Sequence, residues 1–340
     1  MRSIGSNLTG SLQSQVVGIC GILFLAMAAI ATAAAQVTAT PPYTVSAFAT
    51  SVPHVYYQPD SITVWNGRVF IGYGNNAKPD GTFGFSTIVE YSMDGKVLHK
   101  MKVRGHNDGL KVNPKTNLLW ALQNEDARPN LLIIDPKNWK SKKYTFEKPA
   151  HGGGYDDMAF IGDDVYISAS NPSNNPNTKQ AIVKATLRDH TVDVTPVLLG
   201  DAMATDITTG QSVQLNLQDP DSMISDPEGD LVLDSQADAE LIFVHHPGLT
   251  DQSAFHLALT SGGTSAQIDD TVLASSSQGL ILVSDRDGET VYAIQAPFFG
   301  PSEAYSAGPT FVGRLDSHTG VLTPVVTGMV SPHGMTFIGQ

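Results

Sequence analysis

Asn107-Asp108-Gly109-Leu110-Lys111-Val112, followed by the turn Pro114-Lys115-Thr116-Asn117 and the apolar run Leu118 to Leu122, is the stretch that decides the fold. It reads as a short strand, a tight turn and a returning strand, punctuated by Gly, Pro, Asn and Asp. Asn130 to Ile134 continues the pattern, and after Asp135-Pro136-Lys137-Asn138 a fourth run covers Lys143 to Glu147. Five other segments begin alike: Pro59-Asp60-Ser61-Ile62, Tyr155-Asp156-Asp157-Met158, Pro220-Asp221-Ser222-Met223, Ile268-Asp269-Asp270-Thr271 and Pro332-His333-Gly334-Met335. Along the chain, the second residues of the six stand 48, 48, 65, 48 and 64 positions apart. Second runs follow the first five starts, at Arg68 to Tyr73, Leu118 to Leu122, Asp164 to Ser168, Asp230 to Leu233 and Gly279 to Val283. A period of this length, made only of strands and turns, predicts an all-β chain folded as a β-propeller of four-stranded blades.

The last start, Pro332 to Ile338, has no second strand after it, and Tyr43 to Ala49 is a strand with no start before it. Ring closure explains both. The N- and C-terminal strands then share one blade, which removes the edges an open sheet must protect. Six blades are expected, with five or seven as alternatives. The two longer repeats leave room for extra hairpins, around Thr209-Gly210 and Thr319-Gly320.

Composition agrees. Only 16% of the 340 residues are charged, and 31 Gly and 20 Pro supply the turns that many short strands need. A net charge of −13 repels phosphate backbones, so nucleic acid is excluded as a partner and cations or neutral ligands are favoured. Residues 1–35 carry one charge, Arg2, and the unbroken run Val16 to Ala35 ends Ala33-Ala34-Ala35. This is the pattern of a secretory signal cleaved before Gln36, with an uncleaved anchor as the alternative. Cleavage would remove Cys20, the only cysteine, leaving no thiol chemistry in a secreted or periplasmic protein with no membrane segment. Residues 36–42 then form a linker and 43–340 a single propeller domain. Oligomeric state is not legible.

In a propeller blade the first strand crosses from one face to the other and the second returns. Residues before strand one and after strand two therefore share a face. Asp60, Asp108, Asp156, Asp221, Asp269 and His333 are thus expected on one mouth, beside Asn124, Asp234 and Asp285 at the ends of second strands. A competing role exists for such aspartates, because each can accept hydrogen bonds from its own turn. Departures from the repeat are more informative: His333 in place of Asp, the cluster His106-Asn107-Asp108-Gly109, and His151-Gly152-Gly153-Gly154 before the third start.

The run Asn107 to Pro114 with Leu118-Leu119-Trp120 resembles the Asn-Asp-Gly…Leu-Trp block of the SMP-30/gluconolactonase family. Pro220 to Asp234 is similar to that family's later block, which ends in a metal-ligating aspartate. NHL-type propellers share this repeat style. The resemblance implies a divalent cation in the central mouth, calcium first and zinc as the alternative, that assists hydrolysis of a lactone or sugar-derived ester. It implies Asn107 as a metal or substrate ligand and Asp234 as a ligand or the acid/base group; the shared mouth adds His333 to the expected metal ligands and Asp108 to the expected catalytic groups. His106, His151, Asn124 and Asp285 would contact a small-molecule or carbohydrate-like ligand. The chain departs from the pattern at Ser222, where the family has Asn, and shows no counterpart of its early glutamate ligand.

Two alternatives stand beside this. His106, His151 and His333 all lie at repeat starts, so three imidazoles can hold zinc as in propeller lyases. A propeller can also be a rigid binding disc without turnover. Serine and cysteine hydrolysis are set aside, for the chain has no Gly-x-Ser-x-Gly and no mature cysteine.

Overall fold

The computed structural model describes residues 36–339. The segment read as an export signal, 1–35, lies outside them. Among the described residues no helix is long and apolar enough to cross a membrane. The described residues are all strand and turn, and their hydrogen bonding divides into four-stranded antiparallel groups.

The first group runs Pro59–Trp65, Arg68–Tyr73, Phe85–Ser92, Val97–Arg104 from the inside outward. The second runs Asn107–Val112, Leu119–Gln123, Asn130–Ile134, Ser141–Phe146, and the third Met158–Ile161, Asp164–Ser168, Gln180–Arg188, Thr191–Leu199. A short parallel contact, Thr145 to Thr191 and Phe146 to Val192, joins these two groups at their outer strands. Pro220–Ser225 begins a fourth group, to which the hairpin Met203–Asp206 and Ser212–Gln214 adds at the outer edge. Inner strands neighbour one another in sequence order, and Pro332–Gly339 lies against Pro59–Trp65, so the circle closes.

The second strands explain the unbroken apolar runs of the sequence. Leu119–Gln123 and Leu231–Ser235 are buried throughout, because each is covered by a neighbouring group on either side. One such interface packs Trp120, Leu122 and Leu131 against Met158, Val165 and Ile167. Outer strands such as Val97–Arg104 are mostly exposed.

Two expectations need correction. The run Gly279–Asp285 does not complete the repeat begun by Thr271–Leu273. It pairs with Pro332–Gly339 on one side and Thr290–Gln295 on the other. Thr271–Leu273 is completed instead by Ala304–Ala307, Phe311–Asp316 and Val321–Thr327. The chain therefore leaves the fifth group after one strand, lays down two strands of the last, and returns. Those two strands complete the blade that holds the first and last long strands. They also separate the terminal strands, which occupy opposite edges of one sheet without bonding each other. The linker reading of 36–42 also changes, since Thr38–Ala39 pairs with Val326 and Thr327.

Candidate functional site

Four of the inner strands share a local irregularity at the mouth. Pro59 pairs with Tyr73 and the next pair is Ile62 with Ile71, so one extra residue is accommodated at Asp60-Ser61. The same skip falls at Asp108-Gly109, Asp221-Ser222 and His333-Gly334. A bulge of this kind re-aims side chains at a rim. Glycine is required at two of these places. A Cβ on Gly109 would sit 2.3 Å from Asp156 O, and one on Gly334 2.7 Å from Asp60 O.

The ionisable groups come together as two clusters, each with its ligand atoms within 4.8 Å of one another: Asp60, Asp269 and His333, and His106, Asp108 and Glu125. His333 Nδ1 lies 2.6 Å from Asp269 Oδ1 and 3.7 Å from Asp60 Oδ1. Burial pulls this imidazole down, but the Asp269 and Asp60 carboxylates outweigh it and hold the pKa at about 9. Arg286 Nε stands 4.0 Å from Asp60, and Gln236 Nε2 donates to Asp269 Oδ1 at 2.8 Å. In the second cluster His106 Nδ1 is 2.9 Å from Glu125 and 3.9 Å from Asp108. Burial pushes the carboxyls of Asp108, Asp156 and Asp221 well above the usual carboxylate range, and repulsion from neighbouring carboxylates adds to it.

A second tier lies along the inner strands. The Asp-Asp doublets send their first member to the mouth and their second to the next inner strand. Asp157 accepts from Met223 N at 3.0 Å and from the Lys111 ammonium, which also donates to Met223 O. Asp270 accepts from Met335 N at 2.7 Å. These carboxylates tie the ring together, the structural role open to any repeated aspartate.

Several nominated residues lie elsewhere or are otherwise engaged. Asn107 is fully buried: Nδ2 donates to Leu122 O at 2.8 Å, and Oδ1 is turned toward Gly72, with no hydrogen-bond partner among the described residues. Asp234 is buried between strands, its Oδ2 accepting from Thr271 Oγ1 at 3.1 Å, and it belongs to neither cluster. Asn124 Oδ1 accepts from His106 N, and Asp285 accepts from the backbone of Gly288, Val330 and Ser331. His151 is buried with Nε2 2.7 Å from Gly154 O, so the three histidines do not assemble. Repeat logic alone could have nominated Asp60 and Asp269, since they align with His333. Glu125 had no such signal beyond its place after a second strand.

No family model and no curated protein matches the chain by sequence. Solved structures resemble it in fold. Virginiamycin B lyase from Staphylococcus aureus is 12% identical with a TM-score of 0.51, over 88% of this chain and 94% of that one. A streptogramin B lyase is 12% identical at 0.50, over 86% and 90%. A putative gluconolactonase is 10% identical at 0.50, over 87% and 84%. At this identity the likeness shows the fold alone, a β-propeller.

Proposed function

We propose that the acidic mouth is a divalent-cation site at which a small oxygen-rich substrate, a lactone or sugar-derived ester, is hydrolysed. One observation carries this reading: Asp60, Asp269 and His333 present ligand atoms within 4.8 Å of one another, amid carboxylates that repel each other. Carboxylate oxygen and neutral imidazole are ordinary ligands of a divalent ion, so the donor set fits. With one nitrogen among the ligands, zinc or manganese suits it better than calcium, which prefers oxygen alone. Bound there, the ion would polarise an ester carbonyl or acidify a water.

The chain's own groups supply the rest. With an ion bound, His333 would give up its proton to solvent and serve as a ligand beside Asp269 and Asp60, the two carboxylates that flank its Nδ1. Asp108, its carboxyl held well above the ordinary range by burial and by neighbouring carboxylates, is the group we assign as general acid or base. The resemblance to a putative gluconolactonase supports the lactone class, and the N-terminal signal pattern supports action outside the cytoplasm.

Metal content of the purified protein, measured before and after chelation, tests the reading. We expect one divalent ion per chain, lost in Asp269→Asn together with lactone hydrolysis. A parent protein that holds no ion and hydrolyses nothing in a broad lactone panel would leave a ligand-binding disc instead.

A further inference from the structure

We propose that the chain carries a second, separate binding site: a cationic pocket for a small organic dianion with an apolar body. It is a cavity of about 450 Å3 where the strand Ser141–Phe146 meets the segments 127–130 and 147–153. Arg128, Lys143 and Lys148 line it, against one acid, Glu147. Among the described residues no ion pair reaches any of the three cations. Asp80 feels the Arg128 charge without pairing with it. Phe146 and the two prolines Pro129 and Pro149 supply an apolar part of the wall, beside the polar Asn130 and Thr145.

The walls are built rather than loose. Asn124 Nδ2 donates to Arg128 O at 3.1 Å and holds Arg128 in the left-handed region, at φ 53. Non-glycine residues persist there only where the surroundings over-determine them. Asn124 Oδ1 meanwhile accepts from His106 N, so one short loop gives Glu125 to the acidic mouth and Arg128 to the cationic pocket. Across the cavity, a Cβ on Gly153 would stand 2.0 Å from Ser170 O, so only glycine permits this packing. His151 anchors the same wall through Gly154 O and Ser173 N. The His-Gly-Gly-Gly run thus acquires a purpose the mouth does not give it.

Charge is distributed to match. Residues 96–148 contain twelve Lys and Arg against five Asp and Glu, whereas 189–340 contain two against twenty. The field of such a molecule repels an anion from its mouth and from its second half, and attracts it to this pocket. Three cations offset by one carboxylate leave two positive charges to be met, and the phenyl and proline wall selects an apolar body. The pocket does not depend on the cation reading of the mouth.

Calorimetric titration of the intact protein with isophthalate tests the site, with the uncharged isophthalamide and inorganic sulfate as controls. We expect one isophthalate per chain. Lys143→Gln and Lys148→Gln should each weaken it about tenfold, as loss of a charge-assisted contact does. Glu147→Gln should tighten it, Asp269→Asn in the mouth should leave it unchanged, and neither control should match it. No binding at about 10 mM, the weak end of specific association, would overturn the proposal. So would equal affinity in the lysine variants, equal affinity for isophthalamide or sulfate, or loss of binding in Asp269→Asn.

Discussion

His333 decides how the mouth's charge is balanced. Its proton, held at about 9 by Asp269 and Asp60, is the competitor of any cation on the same three side chains. Cation affinity should therefore rise roughly tenfold per pH unit below that value and level off above it, because one proton leaves for each ion bound. Titration of the metal-free protein between pH 6 and pH 9 measures this, and a flat profile would remove His333 from the ligand set. Asp234 makes a different case. Burial and then the Asp270 charge hold its carboxyl well above the usual range. A carboxyl raised on folding costs nothing below its unfolded pKa and costs progressively more as pH rises toward the folded value. Asp234→Asn removes that cost and can still accept from Thr271. Its melting temperature relative to the parent should climb from pH 4 to pH 8 while the cation is retained. A pH-independent difference, or loss of the ion, would return Asp234 to the site.

The strand starts show why a repeat can serve structure and chemistry together. The bulge at Asp60-Ser61 and its counterparts turn one side chain to the mouth, while Asp157 and Asp270, one position later than the ring, bond the next inner strand. At the outer edge, His256 secures the added strand Met203–Asp206, with Nε2 2.8 Å from Glu240 and Nδ1 3.3 Å from Asp206. Its bond to Glu240 and then the Asp206 contact raise its pKa. The stability it contributes is complete below about 6.5 and is lost as pH rises through the folded value. His256→Gln should thus cost about 1 kcal/mol at pH 6 and little at pH 9. Denaturant melts at the two values would show it, and an equal loss at both would refute the ion-pair account.

At the scale of the molecule, closure makes the last strand structural for everything before it. Pro332–Gly339 is an inner strand, touching Gly279–Asp285 in its own sheet and Pro59–Trp65 in the next. Removing 332–340 withdraws the buried Met335 from its interface and unmakes the ring. Such a truncation should lower the melting temperature by more than about 10 °C or abolish a cooperative transition. An unchanged, equally sharp melt would show that the groups stand independently.

Much of this was legible in the chain before folding. Apolar runs between Gly, Pro, Asn and Asp clusters specify strands, because backbone geometry and burial act within a few residues. Equal spacing of Asp60, Asp108 and Asp156 was enough to set their side chains on one face. What the sequence could not determine is partnership. Gly279–Asp285 follows Thr271–Leu273 closely in the chain yet bonds Pro332–Gly339, a choice made by packing between segments far apart in sequence. The same holds for the site. Asp60, Asp269 and His333 are neighbours only because the ring closes, while Asn107 is engaged by Leu122 of its own group and Asp234 by Thr271 of the next. Local sequence determines which strands form. Only the tertiary structure decides which carboxylates meet, since that depends on closure of the whole circle.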